Sequence, residues 1–188
     1  ECSFSKKKSP NLTQRNIIVI GAGGFGREVA WLIERINAAT PTWNLLGFVD
    51  DDEKKVGQDY FGLPVLGNIN WVNDQPNDFN IVCGIGNPII RQSISSRIKK
   101  HKFVTLIDPS VLYSDSVIIG EGSIICAGSI LTVDVTVGSH TIINLNCTVG
   151  HDAVLGNFAT LYPSVNISGN VKIKDYAEIG TGTQIIQG

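Results

Sequence analysis

With 188 residues, 43% of them apolar and only 17% charged, the chain can bury a core and is expected to form one large or two small globular domains. Its net charge of -2 includes no large basic patch, which excludes the usual nucleic-acid footprint, and no apolar stretch nears the roughly 18 to 20 residues of a membrane span. Four widely spaced cysteines, Cys2, Cys83, Cys126 and Cys147, have no metal-ligand spacing and follow no secretory signal, so they read as reduced thiols of a cytoplasmic protein.

Residues 1-15, rich in Ser, Asn and Thr and carrying Lys6, Lys7 and Lys8, are expected to form a disordered tail. From Asn16, NIIVI reads as a buried strand; the glycine turn GAGGFG follows, and Val29, Leu32, Ile33 and Ile36 then recur at helical spacing. LLGFVD predicts a second strand ending at Asp50, and FNIVCGIG a third ending at Gly86. Ile90, Ile94 and Ile98, four apart, predict a helix, and FVTLID a last strand. Strands alternating with helices imply a small parallel sheet with helices packed on it, over residues 16-106.

Beyond that the period becomes six. Steps of six from Ile107 give Tyr113, Ile119, Ile125, Leu131, Val137 and so on to Ile185; thirteen of the fourteen are aliphatic, and the positions four later, Val111 to Thr183, are all small or β-branched. Such a period is not helical. It suits a coil of three short strands, each turning one large and one small side chain inward, stacked so that successive coils pair their backbones. An ordinary sandwich of short strands would not hold one register over the last 82 residues. Ile118, Ile124, Ile130 and Ile142 fall one before the inward residue and should point outwards, an apolar set that asks for a lateral partner.

Taken in order, GAGGFGREV, GFVDDD, GIGNPIIR and the hexads around VGHDAVLGNF and ISGN resemble one family over residues 16-188: the sialic-acid O-acetyltransferases and nucleotide-amino-sugar N-acetyltransferases of the hexapeptide-repeat class. The resemblance implies an α/β Rossmann-like domain that binds a sugar nucleotide at 16-106, then a left-handed parallel β-helix at 107-188, a known exception to the right-handed crossover rule. It implies an acetyltransferase that moves acetyl from acetyl-coenzyme A, without a metal, to an amino or hydroxyl group of a sugar or nucleotide-linked sugar. It also implies a homotrimer with active sites between neighbouring β-helices, the coenzyme along the helix and the sugar held by the N-terminal domain. Two departures stand out. Phe25 occupies the glycine turn where a His is common, and the chain stops at Gly188 where relatives run through further coils, which implies a C-terminal truncation.

Acetyl transfer needs a base for the proton of the attacking group and a donor for the oxyanion. Histidine suits the first role near neutral pH, and the chain has three. His101 lies in KKHK, which reads as basic surface; His140 and His151 fall on coil corners. Asp152 stands beside His151, placed to orient the ring and stabilise its protonated form, and the resemblance puts the family's base at His151. An exposed corner histidine is the plainer alternative. No Ser or Cys is paired with a second His, and Cys147 is inward, so direct transfer is expected rather than an acetyl-enzyme. One coil of eighteen residues after His151 comes Gly169, expected at the inter-strand spacing of about 4.7 to 4.9 Å. Its position resembles that of the family glycine whose amide meets the thioester carbonyl, although a tight corner would also ask for glycine. Asn144 matches a polar substrate-holding position just before the base, or is a solvated residue on a coil face.

Gly21, Gly23 and Gly26 satisfy GxGxxG, with Gly24 inside it and Asp50 some two dozen residues on, which alone suggests a dinucleotide. The domain is too small for a dehydrogenase's second half, and the resemblance makes this a sugar-nucleotide site with glycine amides and a helix N-terminus facing phosphate. Asp50 and Asp51 would accept hydrogen bonds from a base or ribose, with Gly86, Asn87 and Arg91 lining the same cleft; a solvated turn for the aspartates and a surface helix charge for Arg91 are the alternatives. A γ-type carbonic anhydrase on the same β-helix would need three histidine ligands, and only two histidines, eleven apart, lie in the coils. A non-catalytic scaffold or ligand-sensing protein is the rival from another class.

Overall fold

The computed structural model describes residues 14-187. Most of the expected tail, residues 1-13, lies outside the described residues; Arg15, counted with that tail, instead opens the first strand, its guanidinium 4.2 Å above the Trp43 ring. Strand β1 (Arg15–Ile20) carries Ile17, Ile18, Val19 and Ile20 fully inside, the continuous apolar run of a strand covered on both faces. It is followed by α1 (Gly24–Ala39), β2 (Trp43–Val49), β3 (Asp59–Tyr60), β4 (Leu63–Gly67), α2 (Ile69–Asp74), β5 (Asn80–Cys83) and α3 (Pro88–Arg97). The sheet order is β3-β4-β2-β1-β5, parallel except for the β3-β4 hairpin. Helix α1 packs on one face through Val29, Leu32 and Ile33, while α2 and α3 cover the other through Ile69, Val72 and Ile94. The hairpin and α2 have no counterpart in the sequence reading, because elements of two and six residues are too short to show a period. None of the described helices is long and apolar enough to cross a membrane.

FVTLID does not extend this sheet. Phe103 makes a single parallel bridge to Ile81, and Leu106–Ile107 already pairs with Ile124–Ile125 of the next coil. From there the chain runs through fourteen two-residue strands, Leu106–Ile107 to Gln184–Ile185, whose partners are always eighteen residues away. They stack into three parallel sheets, the faces of a left-handed β-helix. The first face presents Leu106, Ile124, Ile142, Thr160 and Glu178 outward; the second Leu112, Ile130, Thr148, Asn166 and Gln184; the third Ile118, Thr136, Val154 and Lys172. The hexad residues from Ile125 to Ile173 fill the interior, together with the small residues such as Val135, Ala153 and Ala159. Cys83, Cys126 and Cys147 are free and buried, and desolvation pushes the Cys83 and Cys126 thiols up to about 12.

The N-terminal domain sits on the first face. Leu106, Ile124 and Ile142 join the core that holds Val29, Leu32 and Phe48, so two of the four isoleucines expected to look outward are covered by the chain itself. Burying each contributes about 2 kcal/mol. Ile118 and Ile130 remain 65% and 39% exposed, with Leu112 at 63%, on the two faces that the domain leaves open. At the lower end of the seam Arg35 of α1 grips the buried Asp108 carboxylate in a fork. Burial works against the Asp108 charge, but the Arg35 and Ser110 bonds outweigh it and bring its pKa to about 2.

Candidate active site

His151 lies on the corner between the second and third faces, where the chain turns through residues 150-153. Asp152 takes a left-handed backbone conformation there (φ 59°), as the equivalent residues of successive corners do, and this swings its carboxylate alongside the ring. His151 Nδ1 and Asp152 Oδ2 are 2.8 Å apart, with both side chains about half exposed. An ionised carboxylate only accepts, so the bond places the proton on Nδ1 and leaves Nε2 with a free lone pair.

The ring settles over Gly169, one coil away. A Cβ at that position would overlap the Nε2 edge of the imidazole, so glycine is what allows the ring to lie against the next coil. The ring thus occupies the side of Gly169 that a Cβ would take, and the Gly169 N–H makes no hydrogen bond among the described residues. Gly169→Ala is expected to push the ring off this seat and lower turnover on the order of a hundredfold, as a misplaced catalytic group does. Circular dichroism should show the β-helix intact, because the backbone at this position is open to an L-residue. Unchanged turnover would mean that the seat has no role. Next to it, on the second face, a groove of about 320 Å³ is lined by Thr148, Gly150, Asn166, Ser168 and Gln184.

A second concavity, about 480 Å³, opens at the carboxyl ends of β1, β2 and β5, where the strand order reverses around β1. Gly21, Asp50, Asp51 and Arg97 line it along with Ile20, Ile69, Ile85, Ile89, Ile90 and Ile94. Gly21 has φ 94°, and Gly26 packs so closely on its carbonyl that no side chain fits, which is how the turn brings α1 against β1. Gly23 and Gly24 stand exposed at the start of α1, where a Cβ added to either would meet nothing within 4 Å. Burial works to raise the Asp50 carboxyl, but hydrogen bonds from Lys55 and from the Ala22 and Asp52 amides outweigh it and hold it below its ordinary value. Asp51 accepts the Ile69 amide at the start of α2 and pairs with Arg97 at 2.7 Å. The two aspartates thus do more than face solvent: each already fixes a wall of the cleft.

Between the glycine turn and the β-helix a smaller cavity of about 160 Å³ is lined by Phe25, Glu28, Gly86, Ile142, Asn144, Thr160 and Tyr162. Asn144 is buried there and accepts the Leu145 amide, so it is no solvated face residue. Tyr162 donates to Glu178 at 2.8 Å. Asn87 caps α3 by accepting the Ile90 amide.

Several placements differ from the sequence reading: Gly86 borders the smaller cavity and Asn87 caps α3, so neither lines the cleft of Asp50 and Asp51. Arg91 lines no cleft and is no surface charge: it is fully buried, its donors spent on carbonyls of both domains, because α3 turns it inward toward the β-helix. His101 is not part of a basic surface, since it stacks on Phe79 at 4.1 Å with Nε2 3.0 Å from the Pro76 carbonyl. His140 is inside as well, parallel to Phe158 at 4.8 Å, and burial lowers its pKa. Arg97, Thr160 and Tyr162 line these cavities, and Lys55 and Glu178 hold lining residues in place through Asp50 and Tyr162; none of the five carries a sequence motif. No group of three or more metal-ligating side chains occurs among the described residues.

The chain is similar to known proteins along most of its length. The family model described as the PglD N-terminal domain matches residues 16-98. A GDP-perosamine N-acetyltransferase of Escherichia coli O157:H7 is 32% identical over 176 residues, covering 90% of this chain and 77% of that protein. Among solved structures, WeeI from Acinetobacter baumannii AYE is similar with a TM-score of 0.77 at 30% identity, covering 90% of this chain and 79% of the other. The acetyltransferase domain of PglB from Neisseria gonorrhoeae FA1090 in complex with acetyl coenzyme A is similar with a TM-score of 0.51 at 25% identity, covering 93% and 97%.

Proposed function

Because the chain belongs to the nucleotide-sugar N-acetyltransferase family of hexapeptide-repeat enzymes, we propose that it moves acetyl from acetyl-coenzyme A to the amine of a nucleotide-linked sugar, with His151 as the base. The observation that carries this reading is the His151–Asp152 pair seated over the unpaired Gly169 amide and beside an open groove. In the reaction the amine nitrogen attacks the thioester carbonyl carbon, Nε2 of His151 takes the amine proton, and the C–S bond breaks to release coenzyme A as thiolate. The thiolate then receives that proton. Asp152 stabilises the imidazolium in between, and the Gly169 N–H donates to the carbonyl oxygen as it becomes an oxyanion. No acetyl-enzyme is needed: Cys147 is fully buried and burial raises its thiol pKa.

The cleft ringed by Gly21, Asp50 and Asp51 takes the nucleotide, and the cavity holding Phe25 and Asn144 takes the sugar. The smaller cavity lies along the first face and its flanking corner, whereas His151 occupies the corner opposite that face, on the far side of the same coil. On this placement one protomer's acceptor cavity and its own base face different sides of the coil. A homotrimer joined through the second and third faces solves this, covers the exposed Leu112, Ile118, Ile130 and Val154, and sets each cleft beside a neighbour's His151. The direct test is coenzyme A thiol release with GDP- and UDP-linked amino sugars, GDP-perosamine among them as the substrate named for the Escherichia coli relative. Release matching N-acetyl product is expected with one nucleotide class. Saturable binding of these compounds with no release above background would favour a sensor instead.

A further inference from the structure

We infer that Arg91, which touches neither donor nor acceptor, is a positioning residue for acetyl transfer: it sets where the nucleotide cleft stands relative to the β-helix. This deepens the reading above and rests on it.

Arg91 is fully buried on α3, whose Ile89, Ile90, Ser93 and Ile94 form a wall of the nucleotide cleft. Its guanidinium reaches both bodies. Nη1 donates to the Ile85 and Gly86 carbonyls at 2.8 and 2.7 Å, in the loop that borders both the cleft and the smaller cavity. Nε donates to the His140 carbonyl at 2.8 Å, and Nη2 to the Phe158 and Ala159 carbonyls at 2.6 and 3.2 Å and to Thr160 Oγ1 at 3.0 Å, on corners of two successive coils and the adjoining first face. Thr160 closes the network by donating to the same Gly86 carbonyl at 2.8 Å. Among the described residues no carboxylate forms an ion pair with Arg91; carbonyls and the Thr160 hydroxyl take its hydrogen bonds, and although the Glu178 carboxylate works to raise its pKa, burial outweighs this and pulls it down to about 10.

A residue needed only to fill this space would be apolar, since buried charges are costly and well-packed hydrophobes replace them at no loss. What the guanidinium adds is geometry. A planar fork with five N–H donors fixes the Gly86 loop against two coils in one orientation, which a lysine's single point charge cannot do. The apolar seam at Ile124 and Ile142 and the Arg35–Asp108 pair still hold the domain on the β-helix without it, but they leave it room to tilt. Transfer needs the amine within about 3 to 3.5 Å of the thioester carbon, so a tilt of this seam is read directly as lost turnover.

The test uses the full chain as Arg91→Lys and, separately, Thr160→Val, measuring kcat and KM for the nucleotide-linked amino sugar. Calorimetry on the same samples gives dissociation constants for acetyl-coenzyme A and for the sugar nucleotide. Arg91→Lys should lower kcat on the order of a hundredfold with both dissociation constants within about threefold of wild type, and Thr160→Val, at a residue that also lines the smaller cavity, should lower kcat about tenfold with the acetyl-coenzyme A constant within about threefold. Thr160→Val keeps the shape of the side chain, so it decides the matter if Arg91→Lys does not fold. Full kcat in a folded variant would overturn the inference, as would a parallel fall of kcat and both affinities, which is the mark of a merely structural residue. An inactive wild-type protein would instead remove the transferase reading on which this one stands.

Discussion

His151→Ala is expected to lower turnover by about a hundredfold to ten-thousandfold, the range for deleting a positioned acid-base group. The side chain is half exposed and among the described residues bonds only to Asp152, so its removal leaves the corner backbone, including the Asn170 N–H bond to the His151 carbonyl, in place. Acetyl-coenzyme A affinity and the circular dichroism spectrum should accordingly match wild type, and the loss should fall on kcat. Asp152→Asn should cost less, on the order of tenfold, because an amide oxygen still accepts from Nδ1 while the negative charge that favours the imidazolium is gone. Near-wild-type turnover in His151→Ala, or acetyl found on Cys147 during turnover, would rule out the direct mechanism.

The β-helix was legible because one short period governs every coil: a large inward residue at each sixth position is a local signal, and the interior from Ile125 to Ile173 obeys it. The His151–Asp152 pair was legible for the same reason, since neighbours in sequence on a tight corner are neighbours in space. What the chain hides is anything decided between distant segments. Arg91 looks like an ordinary helix charge because its partners on the β-helix lie 49 to 69 residues away and most are backbone carbonyls, which carry no side-chain signature. Ile124 and Ile142 present the same outward hexad position as Ile118 and Ile130, and the sequence does not say which face the preceding domain will cover. Within the cleft, Asp50 and Asp51 were visible as residues, but their ties to Ala22, Lys55, Ile69 and Arg97 depend on how three strand ends converge.

Mixing two inactive variants should restore activity. The N-terminal domain covers the first face of its own β-helix, and His151 projects from the corner opposite that face. If the acceptor held by one protomer reacts at the base of its neighbour, each site of a trimer draws its two halves from different chains. Asp50→Ala disables the acceptor half, since the carboxylate that ties the Ala22 amide and Lys55 is lost and the wall of the cleft loosens; at low acceptor concentration this variant should be nearly inactive. His151→Ala disables the other half. When the two are co-expressed in equal amounts and assort at random in a cyclic trimer, about a quarter of the sites pair an intact cleft with an intact base, and about a quarter of wild-type turnover should return. Light scattering on the mixture should give a trimer mass. A site complete within one protomer could never be rescued in this way, because every chain in the mixture carries a defect. Activity that stays at the level of the two parents would therefore exclude an active site shared between subunits.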